Sequence, residues 1–111
     1  MEEKQALGAF QALSQETRLA VFRLLVRSGP NGLSAGAIAE NLGVQPSTLS
    51  HHLGLLERAS LIRSWRVERR IFYAADFEGT RRLLSFLTDD CCQGRPELCG
   101  DLTRTTVACD D

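Results

Sequence analysis

Hydrophobic and polar positions along this chain change their period near Leu61. Before that point the apolar residues recur every three or four positions. Ala6, Leu7, Phe10 and Leu13 predict a first short amphipathic helix. Leu19, Val21, Phe22, Leu24, Leu25 and Val26 predict a second, ending near Arg27. That helix is apolar nearly all round, which places it at the centre of a core. Ser14 is its expected N-cap, with Glu16 in the first turn favouring the positive helix end. Ser28-Gly29-Pro30-Asn31-Gly32 breaks it. Ala35, Ile38, Ala39 and Leu42 form the stripe of a third helix, capped by Ser34 and stopped by Gly43. Val44 and Gln45 then make a tight turn. Pro46 opens a fourth helix, where its missing N–H costs nothing, and Leu49, Leu53 and Leu56 face inward as far as about Ala59.

After Leu61 the pattern becomes that of strands. Leu61 to Val67 and Arg70 to Ala74 are rich in β-branched and aromatic residues and predict a hairpin with a charged tip, Arg66 to Arg70. Asp76 is placed to cap a fifth helix carrying Leu83, Leu84, Phe86 and Leu87. Residues 91–111 have no period and contain Gly94, Pro96 and Gly100. The expected organisation is one domain over residues 1–90, mainly α with a β-hairpin (α+β), and a cysteine-containing tail over 91–111.

Composition adds bounds to this picture. The 111 residues suffice for one modest core. No apolar run approaches the ~20 residues of a membrane span. Met1-Glu2-Glu3-Lys4 lacks the basic-then-apolar start of a secretory signal. A cytoplasmic location is expected, and thiols there stay reduced. Charge is uneven although its sum is −1. Residues 58–88 carry seven basic and three acidic groups, whereas 89–111 carry two basic and six acidic. A basic middle on a near-neutral chain suits phosphate, unless it is only a solvated face.

Two short helices, a tight turn and a following hairpin describe a winged helix-turn-helix, in which the second helix enters the DNA major groove. Gln45, Ser47, Thr48, Ser50 and His51 are suited to base edges or phosphates at the start of that helix. Arg63, Arg66, Arg69 and Arg70 on the hairpin are suited to phosphate or a minor groove. The adjacent His51 and His52 diverge by ~100° on a helix and cannot share a metal ion. His52 is the one expected to pack.

Three segments carry a family resemblance. They are Leu13-Ser-Gln-Glu-Thr-Arg18-Leu19, Pro46-Ser-Thr-Leu-Ser-His51-His52-Leu53-Gly-Leu-Leu-Glu57-Arg-Ala-Ser-Leu61-Ile62, and Arg69-Arg70-Ile-Phe-Tyr73. Spread over roughly residues 5–88, they resemble the ArsR/SmtB-type metalloregulators, small bacterial winged-helix repressors. The resemblance implies a homodimer joined through its first and last helices. It also implies an inverted-repeat operator in double-stranded DNA and release on binding an inducer.

Inducer ligands occupy different places in that family. A cysteine pair in the helix before the reading helix is absent here, since residues 34–43 hold no cysteine. Asp and His ligands along the last helix are also absent, because Asp76 stands alone and residues 77–90 contain no histidine. Four cysteines remain, all near the end: Cys91, Cys92, Cys99 and Cys109. Cys91, Cys92 and Cys99 lie within nine residues, with Gly94 and Pro96 between them to turn the chain. Three soft thiolates suit a trigonal-pyramidal ion with a lone pair, As(III) or Sb(III), as inducer rather than permanent cofactor. Some arsenical-resistance repressors resemble this chain in carrying such a C-terminal triad. Cys109, further along an acidic tail, is read as a spare thiol.

Other readings of these thiols stay open: another soft metal ion, or a redox switch through the adjacent pair. Structural zinc and iron–sulfur sites fit the spacing poorly. A thiol-dependent arsenate reductase would need a Cys-x5-Arg loop. The nearest candidate, Cys99 to Arg104, has four residues between and no preceding strand, so no enzyme is expected.

Overall fold

In the computed structural model, which describes residues 1–88, five helices surround a small sheet. The order is α1 (Glu3–Leu13), α2 (Glu16–Ser28), β1 (Leu33–Ser34), α3 (Ala35–Leu42), α4 (Pro46–Arg58), β2 (Ile62–Val67), β3 (Arg70–Ala75) and α5 (Phe77–Thr88). The expected winged helix-turn-helix is present, with one strand more than the hairpin. Leu33 and Ser34 pair with Tyr73 and Phe72, so the antiparallel sheet runs β1-β3-β2. Two residues give no readable period, which is why the sequence pattern misses this strand.

The predicted helix signals act locally, with one exception. The Ser34 hydroxyl accepts from the Ala37 N–H at 3.2 Å and Gly43 closes α3 in the left-handed region at φ 65°. Pro46 sits in the first turn of α4. Asp76 Oδ1 accepts from the Gly79 N–H at 2.9 Å. Ser14, however, does not cap α2. Its hydroxyl donates back to the Gln11 carbonyl and it closes α1, while Gln15 caps α2 through its Oε1 and the Arg18 N–H. The longer Gln side chain reaches from one position nearer the helix.

The core joins all five helices to the sheet. Val21, Leu25, Ile38, Leu49, Leu53, Leu56, Leu61 and Ile62 are its largest fully buried side chains. Two expectations about packing fail here. The α1 helix turns Ala6, Ala9 and Ala12 inward, not Leu7 and Phe10, which remain 61% and 39% exposed. The α2 helix buries Val21, Leu24 and Leu25 but leaves Leu19 and Val26 exposed, so it is not enclosed on every side by this core. Small alanines let α1 lie close to the other helices, while Leu7 and Phe10 point away. No helix among the described residues is long and apolar enough to cross a membrane. The cysteines and the rest of the 91–111 tail lie outside the described residues.

Candidate nucleic-acid interface

The turn between α3 and α4 is tied by backbone hydrogen bonds to both helices. The Val44 N–H bonds the Ala39 carbonyl and the Leu49 N–H bonds the Gln45 carbonyl. Leu49, Leu53 and Leu56 fix the rotation of α4 by burying one face. The opposite face then carries Gln45, Ser47, Thr48, Ser50 and His51, all exposed. The side chains of Ser47, Thr48, Ser50 and His51 make no hydrogen bond to another described residue. They are donors and acceptors held out from a rigid helix.

Beside that face stands the hairpin. Glu68 and Arg69 form its two-residue turn, with Glu68 in the left-handed region at φ 57°. Arg66, Arg69 and Arg70 therefore gather at the tip. Arg66 Nε donates to the Glu68 carbonyl at 3.1 Å, which ties that arginine to its own turn. Arg63 is set apart from these three. It pairs with Ala74 four positions along the strand from the Val67–Arg70 pair, ~13 Å away at the usual strand rise. Its Nη2 donates to the Pro30 carbonyl at 3.2 Å, so it also braces the loop before β1.

Alternation along β2 and β3 gives the hairpin two different faces. Ser64, Arg66, Ile71 and Tyr73 share one. Ser64 Oγ donates to Glu57 Oε2 at 2.6 Å, which fastens this face to the end of α4. Ile71 and Tyr73 close a cleft of about 160 Å³ against Pro46, Leu49, Ser50 and Leu53. Burial, and then the Glu57 carboxylate, push the Tyr73 phenol above its ordinary range, so it stays a neutral donor. Arg63, Trp65, Arg70 and Phe72 share the other face. Trp65 and Phe72 stack at 6.0 Å, with the Arg63 guanidinium 4.7 Å over the indole and the Arg70 guanidinium 5.7 Å over the phenyl ring. This ladder was legible in principle. Once the turn is placed at Glu68-Arg69, counting outward sets Trp65 opposite Phe72.

The two histidines separate as expected. His51 is exposed on the polar face of α4, whereas His52 is half-buried and its Nδ1 lies 3.2 Å from Arg18 Nη1. Burial first, then the Arg18 charge and then His51, lower the His52 pKa. Among the described residues no group of three or more His, Cys, Asp or Glu could hold a metal ion.

Comparison with known proteins agrees with this arrangement. A family model described as a helix-turn-helix domain matches residues 13–64. The HTH-type transcriptional regulator YgaV of Escherichia coli is 32% identical over 89 residues, which cover 80% of this chain and 88% of that protein. An ArsR-like transcriptional regulator from Rhodococcus shares the fold with a TM-score of 0.71 at 27% identity, over 87% of this chain and 89% of that one. The chain belongs to the ArsR-type winged-helix transcriptional regulators. A homodimeric winged helix-turn-helix DNA-binding domain from Mycobacterium bovis, 23% identical, matches in fold with a TM-score of 0.64, over 78% of this chain and 81% of that one. In this fold α4 is the second helix of the helix-turn-helix and the β2–β3 hairpin is the wing.

Proposed function

We propose that this regulator is a homodimeric, cytoplasmic repressor that holds an inverted-repeat operator and releases it on binding As(III) or Sb(III). The observation that carries the DNA part is the exposed polar face of α4 beside an arginine-tipped wing. The large apolar side chains left outside the core support the dimer: Leu7 and Phe10 on α1 and Leu87 on α5. A second copy would cover them, and two reading helices related by a twofold axis would suit an inverted repeat.

The inducer part rests on donor chemistry. Cys91 follows the last residue of α5, Thr88, by three positions, and Cys92 and Cys99 complete three thiols in one stretch. Cys91, Cys92 and Cys99 would each replace one hydroxide of the neutral trihydroxide, As(OH)3 or Sb(OH)3, the thiol proton leaving with that hydroxide as water. When bound, the ion supplies three bonds to sulfur and so ties residues 91, 92 and 99 together. A coupling of ~1–3 kcal/mol between ion and operator would weaken DNA binding about 5- to 150-fold. The adjacency of Cys91 and Cys92 supports a second reading, in which thiol oxidation is the signal.

Operator recovered by selection from random duplexes, titrated with protein under As(III), Sb(III), Cd(II), Zn(II) or peroxide, tests both. Release by As(III) or Sb(III) alone is expected. Release by peroxide alone would establish the redox reading, and affinity unchanged under every treatment would refute both.

A further inference from the structure

Arg18 has three hydrogen-bonding groups committed within the protein. Its backbone N–H is held by the Gln15 side chain at 2.8 Å. Its Nε donates to the Ala12 carbonyl, near the end of α1, at 2.6 Å. Its Nη1 meets Nδ1 of His52, on α4, at 3.2 Å. Guanidinium has donors only, so the imidazole nitrogen in this contact must be the acceptor, and neutral His52 carries its proton on Nε2. Arg18 makes no ion pair to a carboxylate among the described residues. Its guanidinium is directed at one carbonyl and at a ring nitrogen 34 residues away in sequence.

A methionine of similar length would fill this space without the cost of burying part of a charge. What a guanidinium adds is direction, because its planar fork fixes both partners relative to each other. We infer that Arg18 is a positioning residue for operator reading: it pins α4 through His52 to the C-terminal end of α1, so that the placement of α1 sets where Ser50 and His51 meet the groove. Ser50 and His51 are the residues immediately before His52, so a turn or slide of α4 at His52 moves both. The inference rests on α4 being the reading helix. It goes further by tying that helix to α1, whose Leu7 and Phe10 point outward, where a second copy would meet them.

The test measures affinity for the selected operator and for unrelated duplex, with the active fraction of each variant fixed by stoichiometric titration. Arg18→Met keeps the packing stem and loses the donors. His52→Leu loses the acceptor, and His52→Gln keeps one in Oε1. Arg18→Met and His52→Leu should each lose about tenfold on operator, equivalent to about 1.4 kcal/mol, and less than twofold on unrelated DNA. The double variant should lose no more than either single one, and His52→Gln should stay within twofold of the parent. Additive losses, equal losses on both DNAs, or unchanged operator affinity for either single variant would overturn the inference. Ser50→Ala and His51→Ala separate this outcome from a wrong choice of reading helix: if both bind operator normally, α4 is not the reader and the inference falls with that reading.

Discussion

Leu53 and Ser50 stand three residues apart on α4 and should respond to truncation in opposite ways. Leu53 is 1% exposed and belongs to the core, whereas Ser50 is exposed on the face proposed to read DNA. Leu→Ala in a packed core costs about 2–5 kcal/mol, depending on how far the site can collapse. Leu53 also lines the cleft of about 160 Å³ that Ser50, Ile71 and Tyr73 share, so its neighbours have room to move. The lower half of the range follows, about 2–3 kcal/mol. For a domain of this size that is a Tm loss of about 10–20 °C. Ser50→Ala removes one solvated hydroxyl and should change stability by less than about 0.5 kcal/mol. Urea unfolding followed by Trp65 fluorescence reads both variants, and operator titration reads the same samples. Leu53→Ala should be unstable yet bind normally per folded molecule, and Ser50→Ala should be stable yet bind weakly. A destabilised Ser50→Ala, or a Leu53→Ala as stable as the parent, would mean that α4 is rotated about its axis, with Ser50 inward and Leu53 outward.

Three further outcomes are expected. Arg66→Ala and Arg70→Ala should weaken specific and unrelated DNA alike and reduce the salt slope by ~1 each; an unchanged slope in both would take the wing tip off the phosphates. Gly79→Ala should cost about 1–3 kcal/mol in a thermal melt, because its Cβ would run into the Ser60 carbonyl oxygen, which belongs to backbone that cannot swing away; a neutral result would show that α5 is free to shift. His52, whose pKa is lowered from the ordinary 6.5, should add stability that is complete above pH 6.5 and lost as pH falls below it, since the unfolded chain then binds more protons. His52→Gln should flatten that dependence, which urea unfolding at several pH values will read.

Strongly periodic elements were legible in the sequence, while features that depend on partners distant in the chain were not. The α3 stripe, Gly43, Pro46 and the three leucines of α4 are local signals, and the structure uses each as read. Which side of α1 faces the core is not local. Alanine and leucine are both apolar, and only the close approach of α1 to its neighbours selects Ala6, Ala9 and Ala12 for the inside. Strand β1 exists because Tyr73 and Phe72 offer it an edge, a fact absent from Leu33 and Ser34 themselves. Arg63 is grouped with the tip arginines as a DNA contact by charge alone, and its register with Ala74, which the charge pattern does not give, puts it at the base of the wing. Arg18 lies within the Leu13–Leu19 segment, where its neighbours in sequence suggest no role, because its partners Ala12 and His52 come from two other helices.

The proposed switch through three cysteines is tested most directly by operator binding against As(III) concentration for four single variants. Cys91→Ser, Cys92→Ser and Cys99→Ser should bind operator as the parent does and no longer release it. Cys109→Ser should release it almost normally. A normal response from Cys99→Ser, or a lost response from Cys109→Ser, would show that the switch uses a different set of sulfurs.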